Sequence, residues 1–563
     1  MLSKPIVCYL WVMRCFAFDY MWATIMAKGI LTSSPSNNKR PHILMIVVDD
    51  LGSHDLGMHG SEILTPASDA LANEGIYLDN YYVLPSCSAS RASLLSGRYP
   101  LHTGVYTWIP ERSTAGLPLD EETLAQVLKR ANYTTHAVGK WHIGHSTWNQ
   151  TPTFRGFETF FGFKMEGEDY FTHMDGKATD LRWESRENCG EGCSEVVDER
   201  GNYSTHVFTR RAIDVLDNYT KGQQDKPLFL YLAYQAVHGP DEVPQYYKDM
   251  YMGKNWTDLR KTYAGMLTAA DEGIANVTKA LKETGLWNDT LIIFTTDNGG
   301  PTATCGIQGS SNYPRRGGKC SVWEGGTTGD GFLSGPALTT IAGMVGNRRM
   351  GDIFHIVDWL PTLAELVGAK PEGKPLDGVS QLSGLKGPIN HPPARQEVFV
   401  GYAQAEYGLW YGPSLRHGQW KIIQGNSGGR AWLWQKPGGG TTEPMQGGIQ
   451  NTTYLLYDLS MNREESQNVA DQHPEIVNWL RGRLQFYSQT FVPPQANNDH
   501  SCPLTGFENS SIGPAWYAEQ NSFSNTPRNL RTHNSFFFFF SSLTCGLCSF
   551  ERFPWCNKVV VYT

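Results

Sequence analysis

Apolar residues fall in short runs bounded by turn-forming positions. Ile43 to Val48, Thr134 to Val138, Leu228 to Tyr234 and Leu291 to Thr296 predict buried strands. Helical spacing lies between them. Leu119 to Ala131 puts Leu124, Val127 and Leu128 on one face behind an acidic first turn, and Tyr263 to Thr284 keeps Met266, Ile274, Val277 and Leu281 in register. Strands alternating with helices predict an α/β fold, a large and mostly parallel sheet flanked by helices.

The Pro-rich segment Leu385-Lys-Gly-Pro-Ile-Asn-His-Pro-Pro marks a boundary. Beyond it, Glu397 to Tyr402, Ser414 to Ile423 and Tyr454 to Leu459 are strand-like, and Pro474 opens a helix carrying Ile476, Leu480 and Leu484. A smaller α+β domain with an antiparallel sheet is expected there. The chain divides into a leader over 1–40, a large domain over 41–385, the small domain over 386–496 and an irregular tail over 497–563. Phe536 to Phe540 in that tail is low-complexity, and Cys545-Gly-Leu-Cys548 has the spacing of a redox or half-zinc motif without a partner pair, so an irregular tail is the better reading.

In 563 residues, 47 Lys+Arg stand against 55 Asp+Glu, a formal net charge of −8, which lacks the basic footprint that nucleic-acid binding requires. No apolar run reaches the ~18 residues of a membrane span, so a soluble protein without a membrane span is expected. Lys4 followed by apolar Pro5 to Met13 resembles the start of a signal peptide, although Arg14 and Asp19 interrupt it. Asn-x-Ser/Thr occurs at Asn132, Asn149, Asn202, Asn218, Asn255, Asn276, Asn288, Asn451 and Asn509. Together these features point to a glycoprotein of the secretory pathway, lysosomal or secreted. Cys189 and Cys193 are spaced to close a small loop, and Cys305 to meet Cys320 across a Gly-rich loop; free buried thiols are the equal alternative for each pair.

In an open parallel sheet, ligands collect outside the carboxyl ends of the strands. Asp49 and Asp50 follow the first run, Lys140 and His142 the second, His238 the third, Asp297 and Asn298 the fourth. Three carboxylates and an amide carbonyl are hard oxygen donors, suited to Ca²⁺ or Mg²⁺ rather than zinc. One Asp at a strand end is more often a turn or cap residue; convergence from two distant segments favours a metal site. Pro85 ends an extended segment, and a helix beginning just past Cys87 would set that side chain at the positive end of the helix dipole. Cys87 alone is more often an inert buried thiol, Lys140 and Lys319 surface charges, and His142 and His238 structural histidines. Their shared address reverses those odds.

Cys87-Ser-Ala-Ser-Arg91 with the trailing Ser96-Gly97-Arg98 resembles the sulfatase signature. Val48-Asp-Asp-Leu-Gly, Gly139-Lys-Trp-His-Ile-Gly, Thr296-Asp-Asn-Gly-Gly, Trp323-Glu-Gly-Gly and His355-Ile-Val-Asp-Trp-Leu-Pro-Thr-Leu resemble the same family in order, over roughly Pro41 to Pro494. Ser414-Leu-Arg-His-Gly-Gln-Trp-Lys and Tyr457-Asp-Leu are similar to arylsulfatase B-like members, the N-acetylgalactosamine-4-sulfatase group. The resemblance implies an alkaline phosphatase-like fold and a sulfuric ester hydrolase. It implies that Asp49, Asp50, Asp297 and Asn298 hold one Ca²⁺, and that Cys87 completes the shell after a formylglycine-generating enzyme converts it to formylglycine during synthesis. Arg91 and Lys140 correspond to the cations that hold the formylglycine hydrate and sulfate; His142, His238 and Lys319 to the remaining active-site residues. One hydrate oxygen would attack sulfur, His238 and Lys319 would assist the departing alcohol, and His142 would help collapse the sulfated hemiacetal.

The implied substrate is a sulfated carbohydrate or aryl sulfate, specifically N-acetylgalactosamine 4-sulfate in a glycosaminoglycan. Ala89 stands where proline is commoner, Thr328 where relatives often carry arginine, and Trp108 to Gly116 lacks the cysteines of arylsulfatase B-like members. Lys319 shares Arg315-Arg-Gly-Gly-Lys with neighbouring cations. The rival readings are a phosphomonoesterase or phosphodiesterase of the alkaline phosphatase-like superfamily, and a noncatalytic carbohydrate-binding relative, which would be expected to have lost ligands.

Overall fold

The side chains of the first strand, β1 (His42–Val48), sort by parity: Ile43, Met45 and Val47 enter one core, Leu44, Ile46 and Val48 the other. A strand with two buried faces belongs in the middle of a covered sheet, where each such side chain contributes roughly 1.5–3 kcal/mol. In the computed structural model the described residues run from 39 to 495, apart from 112, 176–177, 186–193, 223–224, 303–304, 306–308, 388–390, 405–409, 426, 428–434, 437–439 and 442–453. The strands that follow are β2 (Ile76–Tyr82), β3 (Thr134–Lys140), β4 (Thr159–Phe163), a hairpin of β5 (Met174–Asp175) and β6 (Ala178–Thr179), β7 (Arg182–Ser185), β8 (Glu195–Val196), β9 (Leu228–Tyr234), β10 (Thr290–Thr296), β11 (Gly331–Ser334) and β12 (Arg348–His355). The main sheet runs β12-β2-β11-β10-β1-β9-β3-β4-β7-β8. Its centre, β10-β1-β9-β3-β4, is parallel, and antiparallel pairing enters at β11 and β7.

Helices cover both faces, as expected. Ser204–Gly222 and Asp258–Glu283 pack through Val207, Phe208, Met266 and Ile274 on one side. Cys87–Ser96, Leu124–Arg130 and Trp359–Leu366 pack through Leu94, Leu95, Leu124, Leu128 and Trp359 on the other. The helix expected from Leu119 starts at Leu124, because Thr123 caps it in a reciprocal box with Gln126. The one expected from Tyr263 starts earlier, at Asp258, where Thr257 accepts from the Arg260 backbone N–H.

A separate antiparallel sheet follows: β13 (Glu397–Gln404), β14 (Trp410–His417), β15 (Trp420–Gln424) and, after a short pair β16 (Gln435–Lys436) and β17 (Gly440–Thr441), β18 (Tyr454–Asp458). Ser414 to Ile423, expected as one strand-like stretch, is a hairpin instead: Gly418 takes φ 55°, a left-handed position, between the paired His417 and Trp420. Leu415, Ile422, Leu456 and the helix residues Leu480 and Leu484 form a third core with Val322 and Trp323.

Cys305 and Cys320 form a disulfide with Cα atoms 6.0 Å apart, which resolves that pair in favour of bonding. Cys189, Cys193, Cys545, Cys548, Phe536 to Phe540, Asn451, Asn509, the tail beyond 495 and all but the last two leader positions lie outside the described residues. Among the described residues no helix is long and apolar enough to cross a membrane.

Candidate active site

The loop after β1 is built to hold two adjacent carboxylates. Asp49 continues the ladder past the strand end, with its N–H bonded to Ala236 O at 3.0 Å and its carbonyl accepting from Val237 N at 2.7 Å, so the Asp49 and His238 segments leave the sheet together. Asp50 sits at φ 58°, a conformation uncommon for a residue with a side chain. Gly52 follows because a Cβ there would lie 2.4 Å from Ser311 O. Asp55 braces the turn through Arg260 at 2.7 Å, Tyr263 Oη at 2.8 Å and the Ser311 N–H at 2.8 Å.

β10 delivers Asp297 and Asn298 to the same point. Asp297 Oδ1 accepts from Asp50 N at 3.3 Å, and Asn298 Nδ2 donates to Asp50 Oδ1 at 2.7 Å. Donor oxygens of Asp49, Asp50 and Asp297 lie within 4.8 Å of one another. Asp49 Oδ1 and Asn298 Oδ1 are buried and have no hydrogen-bond partner. Orphaned, all-oxygen acceptors buried together fit one hard divalent cation.

Three buried cations face these carboxylates. Cys87 is the first residue of the helix Cys87–Ser96, one position earlier than expected, and Arg91 lies one turn on, on the same face. Arg91 Nη2 reaches Asp297 Oδ2 at 2.9 Å and Asp49 Oδ2 at 3.4 Å. Lys140 Nζ meets Asp49 Oδ2 at 2.5 Å, and Lys319 Nζ meets Asp50 Oδ2 at 2.9 Å. Burial would raise Asp49, but Lys140, His238, Arg91 and Lys319 overcome it and hold the carboxyl below its usual range. Burial and then the charge of Asp49 push Asp297 up to about 7, which a bound cation would reverse. Burial pushes the Cys87 thiol up to about 11 despite Lys140 and Lys319, so the unmodified side chain is a poor nucleophile.

Lys319 is singled out from its neighbours. Its own N–H bonds Gly300 O at 3.2 Å, and the adjoining Cys320, disulfide-bonded to Cys305, bonds Pro85 O at 2.6 Å. Arg316 instead stacks over Trp323 at 4.1 Å and donates to Glu465 O at 3.0 Å.

Both histidines favour the neutral form, first through burial, then through Lys140 for His142 and through Lys319 and Lys140 for His238. His142 Nε2 bonds Ile109 O at 3.0 Å, which places its proton there and leaves Nδ1 as a lone pair without a partner. His238 Nδ1 bonds Gly239 O at 2.7 Å, leaving Nε2 as its lone pair, 3.8 Å from Asp50 Oδ2.

All ten residues singled out from sequence thus converge. The sequence reading missed the Ile109 carbonyl, Gly167, where an added Cβ would meet the His238 ring at 3.3 Å, and Asp241, three residues past His238 and near enough to Asp50 to feel its charge. A backbone carbonyl carries no sequence signal. Ala89 is buried in the helix, and Thr328 Oγ1 donates to Glu324 O at 2.5 Å, a structural rather than open position.

The family model described as Sulfatase matches residues 41–369. The chain is similar to Arylsulfatase J of Mus musculus, 36% identical over 515 residues, covering 86% of this chain and 82% of that one. It is also similar to N-acetylgalactosamine-6-sulfatase of Mus musculus, 31% identical over 422 residues, 70% and 76% of the two chains. Among solved structures, Ps i-CgsB in complex with k-i-k-neocarrahexaose superposes with TM-score 0.68 at 29% identity, covering 82% of this chain and 96% of that one.

Proposed function

Since the chain belongs to the sulfatase family and is a sulfuric ester hydrolase acting on sulfated sugars, we propose that it works through formylglycine at position 87 and one Ca²⁺, with N-acetylgalactosamine 4-sulfate of a glycosaminoglycan as its substrate. The observation that carries the chemistry is the meeting of Asp49, Asp50 and Asp297 with Arg91, Lys140 and Lys319 around a buried Cys87.

Asp49, Asp50, Asp297 and Asn298 would hold the cation, whose charge would favour the ionised oxygen nucleophile and the sulfate beside it. An aldehyde hydrate at position 87 supplies two oxygens on one carbon, one to take the sulfuryl group and one to expel it. Three carboxylates against three cations leave the pocket floor near neutral, so a divalent ion makes it anion-seeking. Arg91 and Lys140 hold the nucleophile and the sulfate oxygens in place. Lys319, kept charged by Asp50 despite burial, neutralises the departing oxygen, and the His238 Nε2 lone pair takes up the proton shed by the attacking hydroxyl and passes it to that oxygen as its bond to sulfur breaks. His142 Nδ1, with its proton fixed on the far nitrogen, accepts the proton released when sulfate is expelled.

The sugar position rests on the strand motif Ser414 to Lys421 and on Tyr457-Asp-Leu. Relatives named for 6-sulfatase activity share the sugar, so position is decided by assay. Entry into the secretory pathway is supported by the Cys305–Cys320 bond and by the exposure of Asn132, Asn149, Asn202, Asn218, Asn255, Asn276 and Asn288, every sequon among the described residues. Aryl sulfate, aryl phosphate and 4- and 6-sulfated N-acetylgalactosamine assayed side by side test the whole reading. Dominant phosphate ester cleavage would overturn the reaction class; activity on the 6-sulfate without the 4-sulfate would remove the positional assignment alone.

A further inference from the structure

Asp241 differs from the metal-site carboxylates and from its own neighbour. Asp49, Asp50 and Asp297 each face a lysine or arginine, and Glu242, next in the chain, accepts the Tyr170 N–H at 3.0 Å. Asp241 forms no ion pair among the described residues, and its Oδ1 is buried without a hydrogen-bond partner. It stands three residues past His238, on the turn opened by Gly239, whose carbonyl fixes the His238 ring. Burial and then the charge of Asp50 raise its carboxyl to about 6, and the Tyr170 hydroxyl, bonded to His238 O at 2.8 Å, feels both Asp50 and Asp241. Asp241 therefore stands on the segment that carries and orients His238, between the Gly239 carbonyl that fixes the ring and Glu242, which holds Tyr170, with its Oδ1 buried and unpartnered.

The mechanism proposed above releases the alcohol at His238, so the sugar that carries the scissile sulfate passes that segment. Above about pH 6, where it is ionised, the Asp241 carboxylate only accepts hydrogen bonds, and its orphaned oxygen is completed by a donor from the ligand. A sugar ring offers hydroxyls there; a second sulfate or a uronate carboxylate would meet like charge.

We propose that Asp241 is a specificity-determining residue that accepts a hydrogen bond from a hydroxyl of the sugar bearing the scissile sulfate and disfavours substrates with a second anionic group at that place. The proposal rests on the reading of the chain as a sugar sulfatase.

Asp241→Ala and Asp241→Asn are compared with the parent enzyme on 4-nitrophenyl sulfate, on monosulfated N-acetylgalactosamine (4- and 6-sulfate) and on the 4,6-disulfated sugar. Loss of a hydrogen bond to a charged group predicts that Asp241→Ala lowers kcat/KM on the preferred monosulfated sugar about ten- to a hundredfold. Aryl sulfate turnover is expected to stay within about twofold, and the preference for mono- over disulfated sugar to shrink. Asp241→Asn, which keeps the shape and one acceptor oxygen, should recover part of the sugar activity but not the discrimination. An equal fall on aryl and sugar substrates, or no fall on the sugar, overturns the proposal and leaves the sulfatase reading intact. Parent enzyme that cleaves aryl sulfate but neither monosulfated sugar overturns the sugar reading and the proposal together.

Discussion

Replacing Asp297 by asparagine separates metal binding from folding. The side chain keeps its size and an acceptor for the Asp50 N–H, now 3.3 Å away, but one of the three negative charges opposing Arg91, Lys140 and Lys319 is gone. The pocket floor moves from near neutral to about one positive charge before any cation arrives, and one of the hard oxygen ligands is weakened. In the parent protein, Ca²⁺ at about one hundred times its dissociation constant should add about 2.7 kcal/mol to stability. For a folded body of roughly 450 residues, with an unfolding entropy of about 2.1 cal/mol/K per residue, that raises the melting temperature by about 3 °C. Thermal melts in chelator and in Ca²⁺ read the difference directly: a rise of that size for the parent and a rise near zero for Asp297→Asn. An equal rise in both proteins, or none in the parent, would refute the assignment of Asp297 and its partners to a cation.

Cys87→Ala should abolish sulfate ester turnover while shifting the melting temperature by about 1 °C, because it truncates one small buried side chain worth about 1 kcal/mol; a large loss of stability would show that position 87 is a packing position. Cys305→Ser opens a loop of sequence separation 15, a closure worth about 3 kcal/mol, and frees the segment holding Lys319, so kcat should fall more than stability alone explains; unchanged kcat would sever that link. Burial pushes Glu168 up to about 7 against the pull of His173, 3.0 Å away, and hydrogen bonds and charge from Glu168 raise His173 despite burial. Both groups bind protons more tightly when folded: the Glu168 contribution is present below pH ~4.5 and is lost as pH rises through about 7, and the His173 contribution is present below its ordinary value of 6.5 and is lost as pH rises through its raised one. The Glu168 part is on the order of 3 kcal/mol by that shift. Melts of the parent and Glu168→Gln across pH 5 to 8 should show the parent losing more on alkalinisation; parallel profiles would contradict it.

The centre of the fold was legible because its strands are buried on both faces. β1, β9 and β10 are apolar almost throughout and begin and end within a residue of their expected limits. β2 was not, since Asp79 and Asn80 interrupt its middle; they are partnered across the fold by Arg349, and by Arg416 and Arg463. Neither partnership is visible without tertiary structure. The candidate metal ligands and the cations facing them were readable because chemistry at a parallel sheet's carboxyl edge follows apolar runs in the chain. What orients them was not: the Ile109 carbonyl that sets the His142 tautomer and the Gly239 carbonyl that fixes the His238 ring are backbone.

Mass spectrometry of the tryptic peptide ending at Arg91, from protein made in a host with a competent secretory pathway, bears most directly on the central claim. An aldehyde-bearing residue at position 87, captured by a hydrazide probe and resistant to thiol alkylation, is the predicted result. A free, alkylatable Cys87 in preparations that hydrolyse sulfate esters at full rate would contradict it.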